Sequence, residues 1–284
     1  MKTHTEISTL QDHLKKIRLE GQTIGLVPTM GNLHAGHIDL IKEAKSKTDF
    51  VVCSIFVNPL QFGANEDLGS YPRTLDQDSE KLTGESCDSL FAPNEIEIYG
   101  SNPDNQTIVR VPELSNEFCG KSRPGHFDGV ATIVTKLFNI AQPDIAFFGL
   151  KDYQQLLVIK KFTADLSMNI DIVGVETRRE NSGLAMSSRN NYLNDEQRQS
   201  AASIYQCLNK TSDQLRAGNR EFSDLEQAAK VNLQQAGLKP DYFSICNASN
   251  LQAATADDTQ LVILAAAYIG PSRLIDNIQV KLPV

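Results

Sequence analysis

Apolar positions change their period several times along the first third of the chain. Ile7, Leu10, Leu14 and Ile17 recur at three- and four-residue intervals, the spacing of one helical face, and Gly21 closes the run. Residues 23–27 form a short apolar run that Pro28 is expected to stop. The loop TMGNLHAGH follows, and then Ile38, Leu40, Ile41 and Ala44 outline a second helix starting near His37. Residues 50–57, FVVCSIFV, are apolar almost throughout, as a strand covered on both faces should be. Strand, loop, helix and strand within about 35 residues make a βαβ unit.

The alternation continues. A helix is predicted over 72–84, a strand over 89–92, another short strand over 107–111, a loop over 121–128 and a helix over 129–141 ended by Pro143. A strand over 144–148, a helix over 151–165 and a strand over 170–175 complete the rhythm of a parallel α/β sheet. After residue 176 the chain turns polar and turn-rich through TRRENSGLAMSSRNNYL. Helices over 194–216 and 221–236 precede DYFSICNA, LVILAAAYI and SRLIDNIQVKL, the pattern of a smaller α+β domain. The division is therefore expected as 1–176 and 177–284.

Length and composition add exclusions. A chain of 284 residues suggests about two domains. Thirty-five acidic against 27 basic residues leave a net charge of −8, so a general nucleic-acid binder is not expected. Neither a membrane-spanning apolar run nor an apolar leader core in MKTHTEISTL is visible. Five widely spaced cysteines without a CxxC fit reduced thiols in a cytoplasm.

The segment Pro28-Thr29-Met30-Gly31-Asn32-Leu33-His34-Ala35-Gly36-His37 carries the first chemistry. It falls where a strand gives way to a helix, and open α/β sheets bind ligands outside the carboxyl ends of their strands. A helix N-terminus there presents backbone N–H groups to phosphate. Gly31 and Gly36 allow close backbone approach, and His34 and His37 can each donate to a phosphate oxygen. A helix cap or a His-x-x-His metal site are the competing readings; no third metal ligand lies nearby in sequence.

Val27-Pro28-Thr29-Met30-Gly31 followed by His34-Ala35-Gly36-His37 resembles the H-x-G-H nucleotidyltransferase superfamily, and within it the pantoate–β-alanine ligases (pantothenate synthetases). Further segments agree in order: IFVNPLQF at 55–62, YPRT at 71–74, RPGHFDGV at 123–130, GLKDYQQ at 149–155, GLAMSSRN at 183–190 and RLIDN at 273–277. The resemblance implies a Rossmann-like parallel-sheet domain binding ATP and pantoate, followed by a smaller α+β lid domain. It also implies a two-step reaction, in which (R)-pantoate is adenylated by ATP and β-alanine then displaces AMP. Mg2+ would accompany ATP, and the protein would be a cytoplasmic homodimer without nucleic-acid or membrane partners.

The same resemblance distributes roles. His34, His37, Lys151, Ser187, Ser188 and Arg189 are the implied catalytic set. The ATP site would comprise Met30, Gly31, Asn32, Leu33, His34, Ala35, Gly36 and His37. To these it adds Gly149, Leu150, Lys151, Asp152, Arg178, Met186, Ser187, Ser188 and Arg189. Gln61 and Gln155 would bind pantoate, with Gln61 also near β-alanine; an amide can donate to a carboxylate and accept from a hydroxyl. Phe56, Val57, Phe62 and Val130 would wall pantoate's methyl groups, and Arg123 and His126 would either face the phosphates or serve the structure. Leu150 and Arg178 stand where the family has a polar residue and a Val. Asp76 and Asp78 could approach a divalent ion, but a carboxylate-rich helix face is ordinarily solvated, so no protein ligand is assigned. Another H-x-G-H nucleotidyltransferase, or an ATP-binding protein without turnover, would share the first motif.

Overall fold

A computed structural model describes residues 1–63, 66–102 and 105–283. The chain divides into two compact units, one of Met1–Leu150 with Gln154–Glu176 and one of Lys151–Tyr153 with Thr177–Val284.

In the first region β1 (Lys2–His4), α1 (Ile7–Leu19), β2 (Ile24–Thr29), α2 (Ala35–Lys47), β3 (Phe50–Ile55), α3 (Leu75–Gly84) and β4 (Ser89–Phe91) come first. Then follow α4 (Glu95–Tyr99), α5 (Cys119–Ser122), α6 (His126–Ala141), β5 (Ile145–Gly149), α7 (Tyr153–Asp165) and β6 (Asp171–Val175). The strands form one parallel sheet in the order β1-β4-β3-β2-β5-β6. Successive strands after β2 run outward to one side and β5 and β6 to the other. The direction of winding therefore reverses between β2 and β5, where a Rossmann-like sheet opens its crevice. A core of Val27, Leu40, Ile41, Ala44, Val51, Leu82, Leu90 and Phe147 holds α2 and α3 on one face. Burial of each such large side chain contributes about 1.5–3 kcal/mol.

Several local expectations are corrected. Pro28 lies inside β2, opposite Ser54, rather than ending it. Alternation turns its missing N–H toward β5, where the ladder has already stopped at Leu26. Residues 107–111 form no strand; Val109 N instead donates to Thr132 Oγ1 of α6 at 3.0 Å. The expected loop at 121–128 is helical at both ends, in α5 and the start of α6. Helix α2 begins at Ala35, earlier than the apolar period indicates, because His34 caps it. β1 and α4 were not legible at all.

The second unit contains α8 (Asp195–Ala201), α9 (Ser203–Arg216) and α10 (Phe222–Gln235), followed by β7 (Lys239–Asn247), β8 (Gln260–Ile269) and β9 (Ser272–Lys281). The one helix expected over 194–216 is interrupted at Ala202. The strands form an antiparallel meander, β7-β8-β9. Leu208, Leu215, Leu233, Phe243, Ile263 and Val280 are among the residues of the core between sheet and helices.

Candidate functional site

The loop after β2 is built by residues distant in sequence. Gly31 and Asn32 take positive φ, at 82° and 49°. A Cβ at position 31 would lie 3.1 Å from Ile55 Cγ2 on a backbone that L side chains rarely adopt, so glycine is required. The tight turn aims two successive amides at one carboxylate: Asn32 N donates to Asp78 Oδ2 and Leu33 N to Asp78 Oδ1, both at 2.8 Å. Thr74 Oγ1 donates to the same Oδ2 at 3.0 Å. Lys81 Nζ lies 3.8 Å from Oδ1 and donates to Leu33 O at 2.7 Å. Asp78 is completely buried, which corrects its reading as part of a solvated face. The signal for this was weak: Asp78 lies one turn before Leu82, which is core, but Leu75 on the same stripe is exposed.

The two histidines then begin α2. Gly36 N donates to His34 Nδ1 at 3.1 Å, and His34 N donates to His37 Nδ1 at 3.2 Å. An imidazole nitrogen that accepts from an amide carries no hydrogen. Each Nδ1 therefore acts as an acceptor at the start of α2. Their centroids are 4.0 Å apart with planes inclined at 33°. Each histidine thus uses its Nδ1 to start the helix.

Gln61 sits beside this loop in a fixed orientation. Its Oε1 accepts from Asn58 Nδ2 at 3.1 Å, which leaves its Nε2 as donor toward Met30 Sδ at 3.0 Å. Asn58 is itself fixed, because its Nδ2 also donates to Gly129 O at 3.1 Å while Oδ1 accepts from Tyr99 OH at 2.6 Å. Burial pushes the Tyr99 phenol far above its ordinary pKa, so it remains a donor. Gly129 permits the approach of α6, since a Cβ there would stand 2.3 Å from Leu60 O. Asn58 and Tyr99 were not assigned from sequence, although Asn58 lies within the quoted NPLQ segment.

Arg123 and His126 serve this platform. Arg123 grips Glu66, with Nε to Oε1 at 2.7 Å, and its NH1 donates to His126 Nε2 at 2.9 Å. His126 Nδ1 donates to Gln61 O at 2.8 Å and holds the backbone of the residue whose amide faces Met30. Phe56 and Val130 are buried, Val57 is half-buried, and Phe62 packs edge-on to Tyr71. In α7, Gln155 is half-buried. Its neighbour Gln154 is buried and uses its amide on the 114–119 segment, accepting from Cys119 N and donating to Leu114 O and Glu117 O. Gly149 ends β5 at the sheet's switch point and Leu150 follows it.

Lys151, Asp152, Arg178, Met186, Ser187, Ser188 and Arg189 belong to the second unit. Lys151 Nζ lies 3.6 Å from Asp152 Oδ2, and Lys151 O accepts from Asn277 Nδ2 at 2.9 Å. Residues 178–186 form a small hairpin, with Glu180 N donating to Leu184 O and Met186 N to Arg178 O. Ser187 Oγ accepts from Arg189 N at 3.3 Å and caps a single 3-10 turn. Glu180 braces the hairpin by accepting from Asn190 Nδ2 and Arg198 NH1. Arg179, unassigned from sequence, is bidentate to buried Asp276 and lies 3.6 Å above the Tyr205 ring. Among the described residues no three His, Cys, Asp or Glu side chains group as a metal cage.

Comparison with known proteins agrees with this architecture. The family model for pantoate–beta-alanine ligase matches residues 2–279. Pantothenate synthetase of Shewanella denitrificans is 55% identical over 279 residues, covering 98% of this chain and 99% of that protein. Its counterpart in Alteromonas mediterranea is 53% identical over 280 residues, covering 99% of each. The crystal structure of pantothenate synthetase from Thermus thermophilus superposes with a TM-score of 0.92 at 38% identity, covering 98% of this chain and 99% of that one. The pantoate–beta-alanine ligase of Francisella tularensis, complexed with beta-gamma ATP and beta-alanine, gives 0.81 at 37% identity, covering 98% and 97%.

Proposed function

The chain belongs to the pantoate–beta-alanine ligase family, and from that premise we propose that it joins (R)-pantoate to β-alanine through a pantoyl-adenylate. In the first step a pantoate carboxylate oxygen attacks the α-phosphorus of ATP, and the bond to the bridging oxygen breaks to release pyrophosphate. In the second, the β-alanine nitrogen attacks the acyl carbon, AMP leaves with the electron pair, and the amine's proton passes to solvent. The nucleophile of step one is already ionised near neutral pH, so that step needs no general base. Catalysis then rests on positioning and on stabilising charge at the phosphates.

The observation that carries this reading is the placing of the histidine pair. The two imidazoles start a helix at the switch point of the sheet through their Nδ1 atoms. They are suited to donate to phosphate oxygens without acting as bases. Met30, Gly31, Asn32, Leu33, Ala35 and Gly36 supply the surrounding backbone, with Gly149 and Leu150 from the end of β5. From the second unit, Lys151, Asp152, Arg178, Met186, Ser187, Ser188 and Arg189 complete the ATP contacts, with Lys151 and Arg189 meeting the leaving pyrophosphate. That unit acts as the lid, which matters because an acyl-adenylate hydrolyses readily in water. Gln61 and Gln155 bind pantoate, and Gln61 also lies by the incoming β-alanine. Magnesium arrives on the nucleotide's phosphates in this reading, with no protein ligand assigned. Buried cysteines are in keeping with a reducing cytoplasm, and the homodimer is carried by the family alone.

Pantoate-dependent exchange of labelled pyrophosphate into ATP tests the reading. Exchange that requires (R)-pantoate is expected. Exchange driven instead by a phosphorylated acceptor, or ATP binding without exchange, would overturn it.

A further inference from the structure

Strand β9 carries adjacent buried polar residues, Asp276 and Asn277, in a stretch otherwise built from core and edge positions. Alternation sends their side chains to opposite faces of the sheet. Asp276 shares the face of Leu274 and Val280, which belong to the core beneath the helices of this unit. There it receives both guanidinium nitrogens of Arg179, NH1 on Oδ2 at 2.6 Å and NH2 on Oδ1 at 3.0 Å. Tyr205 of α9 stacks on the same guanidinium. Arg179 NH1 also donates to Gly183 O at 3.1 Å, so this ion pair fixes the hairpin that leads into Ser187–Arg189.

β9 is an edge strand, and the pair also closes its edge. Asn277 N donates to Asp276 Oδ1 at 2.8 Å, while Arg179 NH2 reaches Asn277 O at 3.5 Å. With its backbone held on both sides, Asn277 directs its Nδ2 to Lys151 O at 2.9 Å. A continuous hydrogen-bonded path therefore runs from the hairpin through Arg179, Asp276 and Asn277 to the turn bearing Lys151. Replacing such a buried ion pair by apolar residues is often neutral for stability, so its presence in a core calls for another reason.

We propose that Asp276 and Asn277 are positioning residues that set, as one hydrogen-bonded clamp, the Lys151 turn and the 178–189 hairpin relative to each other. The clamp makes Lys151 a member of the C-terminal unit although it lies between β5 and α7 in sequence. Both phosphate-binding elements of the lid are thereby presented in fixed register. The inference rests on the reading that Lys151 and Ser187–Arg189 meet the nucleotide phosphates.

The test is a double-mutant cycle in the full-length enzyme, read by pantoate-dependent pyrophosphate exchange with the KM for ATP and for pantoate measured separately. Asn277→Ala is expected to raise the KM for ATP about ten-fold and leave that for pantoate unchanged, the loss of one buried hydrogen bond. In a Lys151→Ala background the same substitution is expected to add less than about two-fold, because the clamp acts through Lys151. Asn277→Asp keeps the volume but sets an oxygen against Lys151 O. It is expected to be worse than Ala, whereas a packing role would make it milder. If Asn277→Ala multiplies the Lys151→Ala defect in full, the clamp is wrong while the site stands. If Lys151→Ala leaves exchange unchanged, the phosphate assignment fails and the clamp with it.

Discussion

Replacing Asp78 by Asn perturbs the loop after β2 without changing the size of any side chain. In the wild type both carboxylate oxygens are occupied, one by Leu33 N at 2.8 Å and the other by Asn32 N at 2.8 Å and Thr74 Oγ1 at 3.0 Å. An amide keeps only one acceptor oxygen. Whichever way it rotates, its NH2 faces a backbone N–H and two donors oppose each other. The loss comprises a charge-assisted hydrogen bond, about 1.5–3 kcal/mol, and a buried N–H left unsatisfied, about 1–3 kcal/mol. These overlap, so a combined effect of about 3 kcal/mol is expected, which at about 1.4 kcal/mol per decade is roughly 100-fold. If the loop yields while the fold holds, kcat/KM for ATP falls by about that factor. If the loss falls on stability instead, melting drops by up to about 6–12 °C, at roughly 2–4 °C per kcal/mol. Pantoate-dependent exchange over a range of ATP concentrations, alongside thermal melting, measures both. Thr74→Val removes only the hydroxyl donor and should give a several-fold fraction of the effect. An Asp78→Asn enzyme within two-fold of wild type in kcat/KM for ATP, and melting within about 2 °C, would refute the argument that Asp78 organises the loop.

Three other outcomes follow from the same structure. His37→Ala should lower exchange by about 10²–10³ through loss of one phosphate donor, while the missing cap bond costs only about 1 kcal/mol; full exchange in a folded variant would remove His37 from the mechanism. Tyr99→Phe deletes the donor that orients Asn58, and hence Gln61, so the KM for pantoate should rise several-fold with that for ATP unmoved; equal shifts in both would contradict the relay. The His4–His13 pair, 3.1 Å apart, is held below the ordinary histidine pKa of 6.5 in both rings, first by burial and then by Lys2, with Lys16 adding to and Glu20 opposing the effect at His13. The unfolded chain therefore binds more protons just below pH 6.5, so stability is complete above that pH and declines as pH falls through it. Melting from pH 7.5 to 5.5 should show the decline, and His13→Gln should flatten it; identical slopes would exclude the pair as its source.

The sequence by itself determined the elements whose cause is local. The βαβ rhythm is written in runs and periods of apolar residues, because a buried parallel strand and an amphipathic helix each impose their own spacing on the chain. The glycines and histidines of the first loop were legible for the same reason: a turn needing positive φ and a helix start needing acceptors act within a few residues. Motif resemblance carried the family and the candidate residues further than periodicity could. Tertiary structure decided whatever depends on partners far along the chain. Pro28 stays in a strand because a neighbouring ladder has already ended, and residues 107–111 lose their strand because Thr132 of α6 takes the amide of Val109. Asp78 looked solvated until two amides some 45 residues away closed on it. The contacts of the His34, His37 and His126 rings, and the facing of Gln61, follow from which donors and acceptors surround them. Lys151 joins the C-terminal unit through Asn277, a residue 126 positions later. Spacing encodes conformation, but a hydrogen bond between distant segments exists only once the chain has folded, and most of this site's chemistry is set by bonds of that kind.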